Sequence, residues 1–427
     1  MGKISVSKVN AVTVSSRAPY MLRRLDGLEK AFWLLNQNRS THFCTIAELG
    51  GAFPPVDWER AAEHIGRQLV FASAQIRTDE GGHPIFEIGE PRGIPLSVVE
   101  DDPLAWTAYV EDELSQPVDA LVDPLIRLKL ISDGSRSTLI LTMHHSVGDG
   151  PSAVHLIRDI LRATSGEMVV VAADPRSLEQ AVDDLSMPIK SFPPVRTDAL
   201  FPPPGYRPAD IKKPQVRIGS VARDEVTALR TLAREQGTTL HGALSAAAAR
   251  AFAALKPQHA VIPPRVFSPI DARRRLLENT ENLGAYINAV TVDTLRFSDF
   301  FWEDARHFSS KVGLFNDPDV LVFGVRGVRA ALAGNPTVAE TASVWAHVYG
   351  AEILMTNLGP VEIPIAFGNV TLNGIWGPAV STGISQEQTL GFASLGGTLR
   401  ILHTSFEPIN GLVEAMLDIL LGQIPNR

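Results

Sequence analysis

The stretch "LTMHHSVGDGPSA", residues 141–153, decides how the chain is read. An apolar run ends on two histidines, and an aspartate between two glycines follows. Pro151 then opens a pattern in which Val154, Ile157 and Leu161 share one helical face. Upstream, "LIRLKL" (125–130) alternates apolar and basic residues, "SDGS" supplies a turn and "STLILTMHH" returns, so the spacing predicts a hairpin running into the histidines. If the strand runs through residue 145, Leu141, Met143 and His145 share one face while Thr142 and His144 share the other. Three roles are open to such a segment: a catalytic base, a dinucleotide-binding turn or an ordinary tight corner.

Histidine suits proton transfer because its unperturbed pKa lies near neutrality. The chain has no G-x-S-x-G, no G-x-x-x-x-G-K-[ST] and no H-E-x-x-H, so a base at His145 stands without an obvious covalent nucleophile. A base alone points to direct transfer between two bound substrates. His144, His145 and Asp149 make a poor metal site, because adjacent residues on a strand point to opposite faces and no further Cys or His cluster completes a shell. The dinucleotide reading rests on Gly148, Gly150 and Ala153, which spell G-x-G-x-x-A, with "EMVVV" as the next strand and Asp174 as the ribose-binding acid. Pro151 weighs against it by removing an amide donor from the turn that would face the pyrophosphate.

Wider features bound the function. At 427 residues the chain exceeds one typical core, and 45% hydrophobic with 20% charged residues is a globular composition. A net charge of -8 argues against a nucleic-acid partner. The single cysteine, Cys44, the missing apolar centre in "MGKISVSKVN" and the absence of a long apolar run lead to the expectation of a cytoplasmic protein without a transmembrane segment. Eight prolines between Met187 and Gln215 predict an interdomain linker at 187–215, separating domains at 1–186 and 216–427. In the first domain, helical patterns fall near 22–37 and 57–72. In the second they fall at 223–235 and 239–255, the latter capped by Thr239, with a closing amphipathic helix in "PINGLVEAMLDILLGQ". Strands are expected at 260–268, 286–293, 351–357, 367–375 and 397–405.

HHSVGDG matches the HHxxxDG signature and resembles the condensation-domain and chloramphenicol acetyltransferase-like acyltransferase superfamily. "SPIDARRRL" (268–276) with "NLGAYIN" (282–288), and "MTNLGPV" (355–361), look like two further family segments in the expected order. "RRLDGLEKAFWLLNQ" looks like the family's opening helix. The stand-alone length is similar to the phthiocerol dimycocerosyl transferase type of polyketide-associated acyltransferase.

The resemblance implies an α/β (α+β) fold of two chloramphenicol acetyltransferase-like domains, each a mixed sheet with helices, in a V around a channel. It further implies that His145 deprotonates a hydroxyl or amine acceptor attacking an acyl thioester, with no covalent enzyme intermediate. Asp149 is implied to pair with Arg273 and fix the loop, while Gly150 keeps the helix start open near the thioester. His144, Asn357 and Trp376 are candidate channel residues, although structural roles are open to each. No cofactor or metal is expected, since the thioester is a substrate. The partners are coenzyme A or an acyl carrier protein in trans and a small alcohol or amine, in lipid, polyketide or nonribosomal secondary metabolism. Two departures stand out. "VFGVRG" (322–327) does not match the plant D-F-G-W-G segment, and Ala272 replaces a common leucine. The competing readings are a noncatalytic carrier-protein docking module of the same fold and an NAD(P)-binding oxidoreductase using GDGPSA.

Overall fold

The computed structural model describes residues 18–171, 175–185, 204–207, 212–259 and 261–425. The first half runs β1 (Tyr20–Arg24), α1 (Gly27–Asn36), β2 (Phe43–Gly50), α2 (Pro55–Gly66), β3 (Ala74–Thr78), β4 (Pro84–Ile88) and β5 (Leu96–Glu100). It continues through α3 (Trp106–Leu114), β6 (Ile126–Ser132), β7 (Arg136–Met143), α4 (Gly150–Thr164) and α5 (Leu178–Asp184). The second half opens with β8 (Gln215–Val221), α6 (Arg223–Glu235), α7 (Leu240–Leu255), β9 (Val266–Asp271), α8 (Arg273–Leu276) and β10 (Ile287–Val292). Three helices follow, α9 (Phe301–Leu314), α10 (Pro318–Leu332) and α11 (Val338–Tyr349). The chain closes with β11 (Ile353–Pro360), β12 (Ala366–Phe367), β13 (Val370–Ala379), β14 (Gln388–Leu395), β15 (Thr398–Ser405) and α12 (Leu412–Leu421).

The strands form two six-stranded mixed sheets, ordered β12-β13-β2-β7-β6-β5 and β10-β9-β11-β14-β15-β8, and a small sheet ordered β1-β4-β3. The predicted hairpin is β6 and β7, antiparallel from Ile126↔Met143 to Ser132↔Ser137. Asp133 closes its turn by accepting from the Ser135 and Arg136 amides at 2.8 Å. Seven of the eight β7 residues are buried, as suits a strand with β2 and β6 on its two sides and α4 against it.

β12 and β13 come from the second half of the chain but pair with β2 of the first sheet. The two halves are thereby laced together. Of the expected linker, residues 204–207 and 212–215 are described; Tyr206 bridges to Ile384, and the Arg207 amide donates to the Gly383 carbonyl at 2.8 Å. Most of 187–215, including Phe192 and Phe201, lies outside the described residues, as does Asp174.

α6 spans the expected 223–235, and Thr239 caps α7 by accepting from the Gly242 amide at 3.1 Å. Nearly every side of α7 is buried, between α9 and α12, which explains its alanine-rich sequence. Other boundaries moved. Residues 20–24 form a strand ahead of α1, α2 ends at Gly66 so that Leu69 and Val70 lie beyond it, and β9 starts at Val266. Among the described residues no helix is long and apolar enough to cross a membrane.

Candidate active site

β7 stops at Met143, so the strand does not carry His144 and His145 as alternating residues. The chain leaves it in a turn that the Val147 amide closes onto the His144 carbonyl at 3.0 Å. The Ser146 hydroxyl ties that turn to α1 by donating to the Glu29 carbonyl at 2.7 Å. Asp149 then caps α4, accepting from the Ser152 amide at 3.1 Å, and Pro151 occupies the first turn, where a missing amide proton costs nothing.

The His145 Nδ1 lies 3.0 Å from the Gly148 carbonyl oxygen. A carbonyl only accepts, so Nδ1 carries the proton and Nε2 keeps its lone pair. Phe32 stacks on the imidazole, with ring centroids 4.2 Å apart and planes 8° from parallel, while Phe43 leans on it at 4.7 Å. Burial pushes the His145 pKa down to about 4, against the opposing pull of the Asp149 carboxylate and the Gly148 carbonyl. The ring is therefore neutral at physiological pH.

Asp149 and Arg273 form a bidentate pair with Nη1–Oδ2 at 2.7 Å and Nη2–Oδ1 at 2.6 Å, both side chains 1% exposed. Each is satisfied by further partners. The Tyr286 amide donates to Asp149 Oδ2 at 3.0 Å, and Arg273 also donates to the Gly284 carbonyl and stacks on the Tyr286 ring. Burial would raise the Asp149 carboxyl, but the Arg273 guanidinium outweighs it and holds the group below the usual carboxylate range. The pair joins the histidine turn to β9, α8 and β10 of the second sheet, so it fixes the loop across 124 residues of sequence.

His145, Asp149 and Gly150 line a cavity of about 170 Å³ whose walls come from both six-stranded sheets and from α1, α10 and α11. Asn357 lines it as well, and its Oδ1 accepts from the Gly359 amide at 2.8 Å, so it both borders the cavity and closes a turn at the end of β11.

Two candidates lie elsewhere, which corrects the channel reading. His144 is fully buried and does not line the cavity; its Nδ1 accepts from the Ser146 amide at 3.2 Å, and burial, with His42 and His145 nearby, lowers its pKa to about 3. Trp376 packs on Trp106 at 5.6 Å beneath Arg400, in the core between the sheets, because β13 crosses there.

The dinucleotide reading is also corrected. β7 is flanked by antiparallel strands, residues 167–171 form no strand, and the Asp149 carboxylate sits at the helix start where a pyrophosphate would bind.

The sequence alone did not single out Phe32, Phe267, Trp345 and Tyr349, which all line the cavity, nor Asp26 and Glu179, which line it too. Burial, reinforced by Glu29 and Glu179, pushes the Asp26 carboxyl up to about 8. The D-x-x-E spacing of Asp26 and Glu29 was a legible capping box, and both of its hydrogen bonds form.

The chain is similar to several known proteins. Residues 214–289 match the family described as phthiocerol/phthiodiolone dimycocerosyl transferase C-terminus. Polyketide synthase associated protein 5 from Mycobacterium tuberculosis superposes over 95% of this chain and 99% of its own, at 16% identity and a TM-score of 0.66. The first condensation domain of the CDA synthetase covers 94% of this chain and 97% of its own, at 16% identity and a TM-score of 0.71. TRI3 trichothecene 15-O-acetyltransferase from Fusarium sporotrichioides covers 94% of this chain and 96% of its own, at 14% identity and a TM-score of 0.67. In sequence, one plipastatin synthase protein of Bacillus subtilis (strain 168) is 27% identical over 277 residues, which is 58% of this chain and 10% of that protein. The chain thus spans about a tenth of that curated relative. The fold is the one these solved structures share, a condensation domain and an acetyltransferase among them, as the HHSVGDG resemblance implied.

Proposed function

We propose that the chain is an acyltransferase that moves an acyl group from a thioester to a hydroxyl or amine, with His145 as general base and no covalent enzyme intermediate. The observation that carries the reading is the His145 geometry: Nδ1 tethered to Gly148, Nε2 left with its lone pair, and the ring at the wall of a cavity. His145 Nε2 takes the proton of the acceptor as its oxygen or nitrogen attacks the thioester carbonyl. The tetrahedral intermediate then collapses and the thiolate leaves, taking up the proton from the imidazolium. Asp149 and Arg273 position the loop and do not touch the reacting atoms. Coenzyme A or a carrier protein supplies the thioester in trans, in polyketide or nonribosomal-type synthesis; the fold and the 214–289 match support that setting.

The test is thiol release from a panel of acyl thioesters with alcohol and amine acceptors. Release that requires an acceptor is the expected result. No release with any pair would refute the reading and leave a noncatalytic docking role.

A base is active when unprotonated. The rate constant kcat/KM is therefore expected to rise through a pKa near 4 and to stay flat around neutrality. A pH–rate profile checks this; an acid limb centred near 6.5 would contradict the buried, neutral imidazole.

Gly150 is the second predicted sensitivity. A Cβ there would lie 2.6 Å from Leu358 Cδ2 and 3.0 Å from Pro378 Cγ, both in residues that line the cavity. Gly150→Ala is expected to displace Leu358 and lower kcat/KM by up to about 100-fold, the scale of an ångström-level misplacement. Steady-state kinetics beside a thermal melt would separate this from a loss of fold.

A further inference from the structure

The cavity is not uniformly apolar. Four rings lead away from His145 in succession: Phe32 stacks on the imidazole, Trp345 lies 5.6 Å from Phe32, Tyr349 lies 4.7 Å from Trp345, and Phe267 lies 5.4 Å from Tyr349. They come from α1, α11 and β9, and all line the cavity. Trp345 and Tyr349 are four residues apart and so share one face of α11.

Two of the lining residues, Trp345 and Asn288, each carry a buried donor, Nε1 and Nδ2, that has no hydrogen-bond partner among the described residues. Trp345 and Asn288 are each 7% exposed. The Asn288 amide is oriented by its own Oδ1, which accepts from the Ala289 amide at 2.9 Å and therefore leaves Nδ2 over. Gly324 makes room for it, since a Cβ in that helical position would meet Asn288 Oδ1 at 2.9 Å. A glycine inside a helix is a cost, so the space it gives Asn288 has a use.

We propose that the cavity seats a planar aromatic group bearing an oxygen acceptor, held against Phe32, Trp345, Tyr349 and Phe267 with the Asn288 amide and the Trp345 indole as donors. This rests on the acyl-transfer reading for its role in turnover and names the substrate class. Ring-on-ring contact rewards an aromatic group beyond the area it buries. A hydrocarbon chain fills the same space but offers these N–H groups no acceptor, whereas a phenolic or aryl carbonyl oxygen offers one. The aromatic group enters either on the acyl donor or on the acceptor.

Binding is measured by calorimetry, without turnover. The acceptor arm compares 2-(4-hydroxyphenyl)ethanol, 2-phenylethanol and 1-octanol, and the donor arm compares the 4-hydroxybenzoyl and octanoyl thioesters of N-acetylcysteamine. In one arm the wild-type protein is expected to bind the aryl probe about tenfold tighter than the alkyl probe, and that arm identifies the source. Trp345→Leu is expected to remove the preference, and Trp345→Phe to keep it for the ring while losing the advantage of the ring hydroxyl. Alkyl probes binding as tightly as aryl probes to the wild type in both arms, or a preference unchanged in Trp345→Leu protein with a normal thermal melt, would overturn the proposal. Aryl preference without thiol release from any pair refutes the acyl-transfer reading alone. Thiol release confined to alkyl pairs refutes the aromatic site alone.

Discussion

His145→Ala protein, with its fold intact, is expected to lose acceptor-dependent thiol release by about 100- to 10,000-fold, the range over which a positioned general base contributes. The alanine removes the imidazole that lines the cavity, and the neighbouring His144, fully buried and outside the lining, is not placed to replace it. The ring also fills space against Phe32 and Phe43, so His145→Gln is the companion variant that keeps much of the volume without the base. Thiol release at the wild-type rate in either variant would remove His145 from the mechanism.

Asp149→Ala is expected to destabilise the protein by about 3 kcal/mol, measured by urea unfolding, because a guanidinium that is 1% exposed loses its bidentate partner and keeps only the Asp271 carboxylate, at 3.0 Å. A loss below about 1 kcal/mol, the scale of a surface ion pair, would contradict the buried bidentate geometry. Replacing both Asp149 and Arg273 with leucine is expected to cost less than the single change, since no buried charge is then left over. The pH sign follows from the depressed Asp149 pKa. The pair's contribution is complete above the unfolded carboxylate value of about 3.9 and is lost as pH falls through the lower folded value.

Much of this site was legible because its chemistry is local. The alternation in β6, the Asp133 turn, and the Asp149–Pro151 helix start follow from neighbouring residues, and the structure places each where those residues imply. The Asp149–Arg273 contact was reached only through the family resemblance, since nothing local pairs residues 124 positions apart. The aromatic part of the cavity wall was not read. Trp345 and Tyr349 sit on a helix that periodicity did not mark, although Thr337 and Glu340 spell a capping box and both of its hydrogen bonds form. The same holds for α10, which Asp317 caps ahead of Pro318, and whose two internal glycines and β-branched residues dilute the helical pattern. Trp376 was misplaced for a different reason. β13 leaves its own half of the chain to pair with β2, and strand exchange between sheets leaves no trace in periodicity.

The proposed mechanism requires a neutral imidazole with its lone pair on Nε2, and nitrogen-15 NMR of histidine-labelled protein reads that state without knowledge of the substrate. Titrated from about pH 8 to about pH 4, the His145 resonances, assigned by their absence in His145→Gln protein, are expected to report an Nδ1–H tautomer that stays neutral until a pKa near 4. A proton on Nε2 at neutral pH, or a charged ring at about pH 6, would contradict the central claim.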